Sequence, residues 1–240
     1  MIFAAGLGTR LRPLTNETPK ALVKINGITL LERVVVRLRE AGFTDIVVNV
    51  HHFAEQIIDF LRDNHNFEVN IHISDERDLL LDTGGGILKA EQYLQGDEPF
   101  LVHNVDILST VDLAEIYRLH CQADALATLL VKERETARYF LFNRNNELCG
   151  WTNVKTGEMI PNEIKTEGLH KLAFGGIHVI SPRIFPLLKA HACDKRVFSI
   201  VPFYIQNCSN NKILAYEPQC DYNWIDVGKL SAISEAESIF

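Results

Sequence analysis

The first twenty residues hold the densest chemistry of the chain. Ile2 to Ala5 is a short apolar run that reads as a buried strand. It opens into Gly6-Leu7-Gly8-Thr9, where the glycines permit backbone conformations that other residues resist, and Arg10, Arg12 and Lys20 follow. A glycine loop leaving a buried strand turns its N–H groups toward an anion, and nearby cations neutralise that anion. The backbone of Ala4, Ala5, Gly6, Leu7, Gly8 and Thr9 therefore reads as a cradle for a triphosphate. Two other glycine motifs fail on their spacing. A dinucleotide fingerprint needs a third small residue where Leu11 stands, and no Gly-Lys-Ser/Thr tripeptide of a P-loop occurs.

A second chemical position lies a hundred residues on. Phe100 to Val102 reads as a buried strand, and Asp106 follows its carboxyl end. Ligands of open α/β sheets bind outside that end, where a carboxylate suits a hard divalent cation such as Mg²⁺.

The segment Gly6-Leu-Gly-Thr-Arg-Leu-Arg-Pro-Leu-Thr-Asn-Glu-Thr-Pro-Lys20 resembles the signature of the sugar-1-phosphate nucleotidylyltransferases. Those enzymes join a nucleoside triphosphate to a sugar 1-phosphate and release pyrophosphate. Further likenesses run over nearly the whole chain. Leu81-Asp-Thr-Gly-Gly-Gly86 is similar to a segment that approaches the nucleotide base, which implies base contact by Thr83, Gly84 and Gly85. Asn104-Val105-Asp106 stands where the family has Asn-Gly-Asp or Asn-Ala-Asp. Trp224-Ile-Asp-Val-Gly228 is similar to its Trp-x-Asp-x-Gly element, which implies that Asp226 joins Asp106 in holding Mg²⁺. Alone, Asp226 would read as a helix cap. Gly175 and Gly176 match a small-residue segment beside the sugar ring. No Glu-Lys-Pro segment is present, so neither Lys155 nor Lys165 is assigned to the sugar phosphate. By the same resemblance Arg10 holds the phosphates that leave as pyrophosphate and Lys20 stabilises charge at the α-phosphate. The short length, the Leu81–Gly86 segment and the missing Glu-Lys-Pro point to the small bacterial subgroup of N-acetylmuramate-1-phosphate uridylyltransferases and mannose-1-phosphate guanylyltransferase-like proteins. The resemblance implies a place in nucleotide-sugar biosynthesis for cell-envelope precursors.

The elements that must position these residues follow an α/β pattern. Apolar strands at Ile46–Val50 and at Val69, Ile71 and Ile73 alternate with helices, which calls for a parallel sheet covered on both faces. One helix starts at Thr29 with Glu32 as capping box and runs to Gly42. Ala21 to Ile25 is expected as a strand, and Pro182 to Leu188 as a helix. His51 and His52 are neighbours on an extended segment and point to opposite faces, so they do not share a metal. Residues 138 to 180 are expected to form an acceptor-sugar subregion within one Rossmann-like nucleotidyltransferase domain spanning 1–240, with 152 to 168 as a loop-rich insertion. No hexapeptide β-helix repeat is present.

Composition excludes several classes. The net charge of −7 disfavours nucleic acid as a partner. No apolar run approaches the ~20 residues needed to span a bilayer. Met1 leads straight into the strand with no basic segment of a signal peptide before it, and five scattered cysteines give neither a zinc pattern nor a disulfide framework, so a reducing cytoplasm is expected. Two alternatives stay open: a different phosphorylated acceptor such as phosphocholine, and a non-catalytic nucleotide-binding homologue. Loop shape, which sequence does not reveal, sets the base and the sugar, and the oligomeric state is equally open.

Overall fold

The computed structural model describes residues 1 to 240. In chain order the strands are β1 (Ile2–Phe3), the hairpin β2 (Lys24–Ile25) and β3 (Ile28–Thr29), β4 (Asp45–Val50), β5 (Asn70–Asp75), β6 (Phe100–Asn104) and β7 (Ile107–Ser109). They continue as β8 (Ala127–Lys132), β9 (Arg138–Phe142), β10 (Leu148–Asn153), β11 (Glu158–Ile160), β12 (His170–Ile180), β13 (Ile213–Tyr216) and β14 (Trp224–Asp226). The helices are α1 (Leu30–Glu40), α2 (Ala54–Asp63), α3 (Asp82–Lys89), α4 (Glu91–Leu94), α5 (Leu113–Gln122), α6 (Ile184–Ala192), α7 (Ile200–Asn207) and α8 (Ser231–Ile239).

The expected α/β fold is present. Strands β6, β1, β4 and β5 lie side by side and parallel. Strand β12 pairs antiparallel with β6 and β8, and β8 pairs parallel with β13. Beyond its pairing with β8, the first residues of β12 pair with β9 and extend the sheet through β10 and β11. Residues 138 to 180 are thus continuous with the main sheet. Alternate residues of β4 fall in different core clusters: Ile46, Val48 and Val50 join one of 31 buried residues, while Val47 joins another of 24. Because successive side chains of a strand face opposite ways, these are the two covered faces of one sheet.

Local chemistry explains the ends of the elements. The Thr29 hydroxyl accepts the Glu32 N–H at 3.1 Å and starts α1, and Gly42, at φ +93°, turns the chain out of it. Asp112 accepts the N–H groups of Ala114 and Glu115 at 2.9 and 3.0 Å and caps α5. Three expectations change. Lys20–Leu22 is a 3₁₀ turn, because the Leu22 and Val23 N–H groups bond back to Pro19 and Lys20; only Lys24 and Ile25 of the expected strand pair as a strand. The segment 152–168 is not all loop: Thr152 and Asn153 continue β10 and pair with β11 across a turn at Gly157, at φ +74°. Helix α6 begins two residues after Pro182 and runs on to Ala192.

Three histidines are buried in this core: His103 and His178 are 1% exposed and His120 is 3% exposed. Each ring has one nitrogen near a partner, at 2.8 Å from the Asn104 carbonyl, 2.7 Å from the Tyr204 hydroxyl and 2.9 Å from the Thr128 hydroxyl respectively. Burial holds His103 and His120 down to about 4 and His178 down to about 3. Their unfolded value is about 6.5. The unfolded chain therefore binds more protons, so this contribution to stability is full above about pH 6.5 and is lost as pH falls toward those folded values. The urea midpoint is expected to be lower at pH 5 than at pH 7. Equal midpoints would show that burying these rings has no net cost in acid.

Candidate active site

The loop after β1 is fixed from below. Leu11 is fully buried, Gly8 takes φ +64°, and the Thr15 hydroxyl donates to the Gly8 carbonyl at 2.8 Å. The N–H groups of Gly6, Leu7 and Gly8 make no hydrogen bond within the protein, whereas those of Ala4 and Ala5 donate to Asn49 Oδ1 at 2.7 and 3.2 Å. The open part of the expected cradle therefore starts at Gly6.

Asn49 is a polar residue in the apolar run of β4, and that break was its one sequence signal. It donates to Glu76 Oε1 at 2.8 Å, and Glu76, fully buried, accepts the Leu81 N–H at 3.0 Å. One buried relay thus ties the loop after β1 to the segment entering α3. In that segment the N–H groups of Gly84 and Gly85 both donate to the Phe198 carbonyl, at 2.9 and 3.1 Å. A Cβ on Gly85 would lie 2.4 Å from the Arg196 carbonyl oxygen, and one on Gly84 2.4 Å from the Phe198 ring. These glycines are buried against residues 196–198 while Thr83 lines the cleft. Gly85→Ala is expected to cost about 1–3 kcal/mol, as overpacking does. Gly6→Ala, with nothing within 4 Å of the added carbon, should leave stability unchanged. Urea titration of both variants checks the contrast.

The two aspartates meet through a small ladder. Strand β7 follows Asp106 directly and pairs antiparallel with β14, which places Asp226 opposite Ile107. The Val227 N–H then donates to the Asp106 carbonyl at 2.8 Å. Lys20 forms an ion pair with Asp106 Oδ2. The Arg10 guanidinium lies over Gly228: a Cβ there would be 2.7 Å from Arg10 Nη2 and 2.6 Å from Asp226 Oδ1. Asp226 Oδ1 is buried without a hydrogen-bond partner. Burial first, then the Asp106 charge, push the Asp226 carboxyl above the usual range, with Lys20 and Arg10 acting in the opposite direction. Residues 10, 20, 106 and 226 thus converge at the carboxyl ends of the parallel strands.

A cleft of about 450 Å³ opens beside them, lined by Gly6, Lys20, Asn104, Asp106, Asp82 and Thr83 among others. A second cavity of about 660 Å³ is lined by Arg134, Tyr139, Trp151 and Phe174, and Asp82 borders both. Gly175 and Gly176 serve as packing surface near their junction. The Gly175 carbonyl accepts the Trp224 indole N–H at 2.9 Å, and Gly176, at φ +75°, brings β12 against Ile107 and Asn104. Val105, the departure from the family motif, is 3% exposed and packs in the main core. No group of three or more His, Cys, Asp or Glu side chains is arranged to hold a metal. No helix is long and apolar enough to cross a membrane.

Comparison with known proteins gives the same direction. The chain is 30% identical over 239 residues to N-acetylmuramate alpha-1-phosphate uridylyltransferase of Neisseria meningitidis serogroup B, covering 100% of this chain and 96% of that one. It is 35% identical over 226 residues to the enzyme of the same name from Caulobacter vibrioides, covering 84% and 87%. The fold matches that of HddC from Yersinia pseudotuberculosis, solved with GMP-PN, at a TM-score of 0.77 and 21% identity over 100% of this chain and 97% of that one. The family model described as nucleotidyl transferase matches residues 1–239. The chain belongs to the nucleotidyl transferase family and is an enzyme of the sugar-1-phosphate nucleotidylyltransferase type.

Proposed function

We propose that the protein catalyses Mg²⁺-dependent transfer of a uridylyl group from UTP to a sugar 1-phosphate of the N-acetylmuramate α-1-phosphate kind. The choice of base and sugar rests on the two relatives of that name, which match over most of their length. The observation that carries the chemistry is the convergence of Asp106, Asp226, Lys20 and Arg10 on one cleft. Asp226 Oδ1, buried and unpartnered beside a second carboxylate, is the donor set that suits a hard cation bound by one or two carboxylates plus substrate phosphates. Asp106 and Asp226 would hold Mg²⁺, which supplies charge neutralisation for two polyanions that otherwise repel.

The protein's own residues align those polyanions. The free N–H groups of Gly6, Leu7 and Gly8 bind triphosphate oxygens. Arg10 contacts the β- and γ-phosphates, and Lys20 leaves Asp106 to face the α-phosphate. A phosphate oxygen of the sugar 1-phosphate attacks the α-phosphorus in line. The bond from that phosphorus to the α–β bridging oxygen breaks, and pyrophosphate departs. The attacking oxygen is already ionised, so no side chain need remove a proton, and positioning and electrostatics supply the catalysis.

Pyrophosphate release measured over UTP, GTP, CTP and dTTP with several sugar 1-phosphates tests this. UTP with N-acetylmuramate 1-phosphate should be fastest, and EDTA should abolish release until Mg²⁺ is restored. Release only from GTP with mannose 1-phosphate would replace the base and the sugar. Release with phosphocholine alone, or with no acceptor, would overturn the reaction.

A further inference from the structure

The end of β8 and the segment after it carry two cations that no acid pairs with. Lys132, the last residue of β8, places Nζ 5.2 Å from the centre of the Tyr222 ring and 5.7 Å from that of Trp224. Arg134, two residues on, has its guanidinium 5.0 Å from the Trp224 ring. Trp224 is itself fixed by its hydrogen bond to Gly175 and precedes Asp226 by two positions, on the same face of β14. Neither cation has a carboxylate within ion-pair distance; the Arg134 guanidinium has only a long contact of 3.4 Å to the Phe174 carbonyl. Arg134 Nε and the Tyr222 hydroxyl are buried without partners, as is Asp226 Oδ1. Three unsatisfied polar atoms are therefore gathered around one tryptophan.

A desolvated donor left unpaired is costly, and its cost disappears when a ligand supplies the acceptor. Stacking on an aromatic face holds both cations in place without neutralising them. A planar guanidinium fork beside a point-charge ammonium suits an oxyanion. Arg134 also lines the aromatic cavity that meets the nucleotide cleft at Asp82, so an anion bound there belongs to the second substrate.

We propose that Lys132 and Arg134, seated on Trp224, form the site that recognises an anionic group of the acceptor. The proposal rests on the nucleotidyl-transfer reaction given above and assigns its acceptor side. The anion is an oxyanion borne by the sugar, either the 1-phosphate or a carboxylate substituent. Lys155 and Lys165, on the exposed 152–168 segment, have no such seat.

Two measurements decide it. In a Trp151→Phe background Trp224 is the sole tryptophan, and inorganic phosphate should change its fluorescence saturably. Lys132→Met and Arg134→Met should each weaken that response about tenfold or more, the range expected for a charge-assisted hydrogen bond, while Lys132→Arg retains most of it. In steady-state kinetics the same two losses should raise the acceptor KM about tenfold or more and leave the triphosphate KM within about twofold. Equal increases for glucose 1-phosphate and for a carboxylate-bearing sugar 1-phosphate identify the phosphate as the group read; an increase confined to the latter identifies the carboxylate. A phosphate response unchanged in both variants, or an increase in the triphosphate KM alone, overturns the assignment. If the wild-type protein turns over no sugar 1-phosphate, the reaction falls, and the phosphate titration still decides whether the anion site exists. Unaltered melting temperatures in Lys132→Arg and Lys132→Met separate recognition from folding.

Discussion

Asp106→Asn and Asp226→Asn are each expected to lower kcat by about 10³-fold, and the double variant by little more, because groups that act as one unit are not additive when removed. The two residues are 120 positions apart in sequence, yet the β7–β14 ladder and the Val227 N–H to Asp106 carbonyl bond hold them as neighbours. Asparagine keeps the shape of each side chain. In Asp226→Asn it also removes a buried, unpartnered charge that faces a second carboxylate, so the metal-free variant should be at least as stable as the wild type. Initial rates over a Mg²⁺ series, with melting curves of the same preparations, provide the test. Two single losses that multiply in the double variant would mean that the carboxylates act independently. A large drop in melting temperature for Asp226→Asn would return that residue to a structural role.

Lys20→Ala should lower kcat by about 10²–10³-fold, the usual loss when one preorganised charge-stabilising group is removed. In the resting protein Lys20 neutralises Asp106, and their side chains are only 12% and 16% exposed. Without Lys20 two carboxylates face each other with only Arg10 nearby, so the metal-free variant should melt lower than the wild type. Added Mg²⁺ should recover most of that difference without recovering turnover. Arg10 cannot substitute, since it lies over Gly228 on the Asp226 side. Wild-type turnover in the folded variant would remove Lys20 from the reaction.

The glycine loop, its cations, the strand that ends before Asp106, and the cap at Thr29 were all legible in the sequence. Each depends on spacing within a few residues: a turn needs glycine, a cap needs a hydroxyl or carboxylate, and a buried parallel strand needs an unbroken apolar run. The resemblance of Trp224–Gly228 to a family motif brought Asp226 to notice, where its local pattern alone suggested a helix cap. The 3₁₀ turn at Lys20–Leu22 was missed because Ala21–Ile25 is apolar either way, and a short apolar run does not reveal its own backbone conformation. Strand β11 was missed because its residues carry little alternation, and it exists by pairing with β10.

Tertiary structure alone decided the rest, since it depends on which distant segments touch. The buried Asn49–Glu76 relay, the burial of Gly84 and Gly85 against residues 196–198, and the seat of Lys132 and Arg134 on Trp224 join residues from 27 to more than 90 positions apart. No local propensity encodes such pairs, because a lone asparagine in a strand or a lysine at a strand end is compatible with many neighbours. The sequence by itself determined that a glycine loop followed by cations leaves a buried strand, and that a carboxylate follows the end of another. The closing of the sheet by β12 and the β7–β14 ladder decided which charges meet, because burial makes an unpaired charge costly and so fixes which partners must come together.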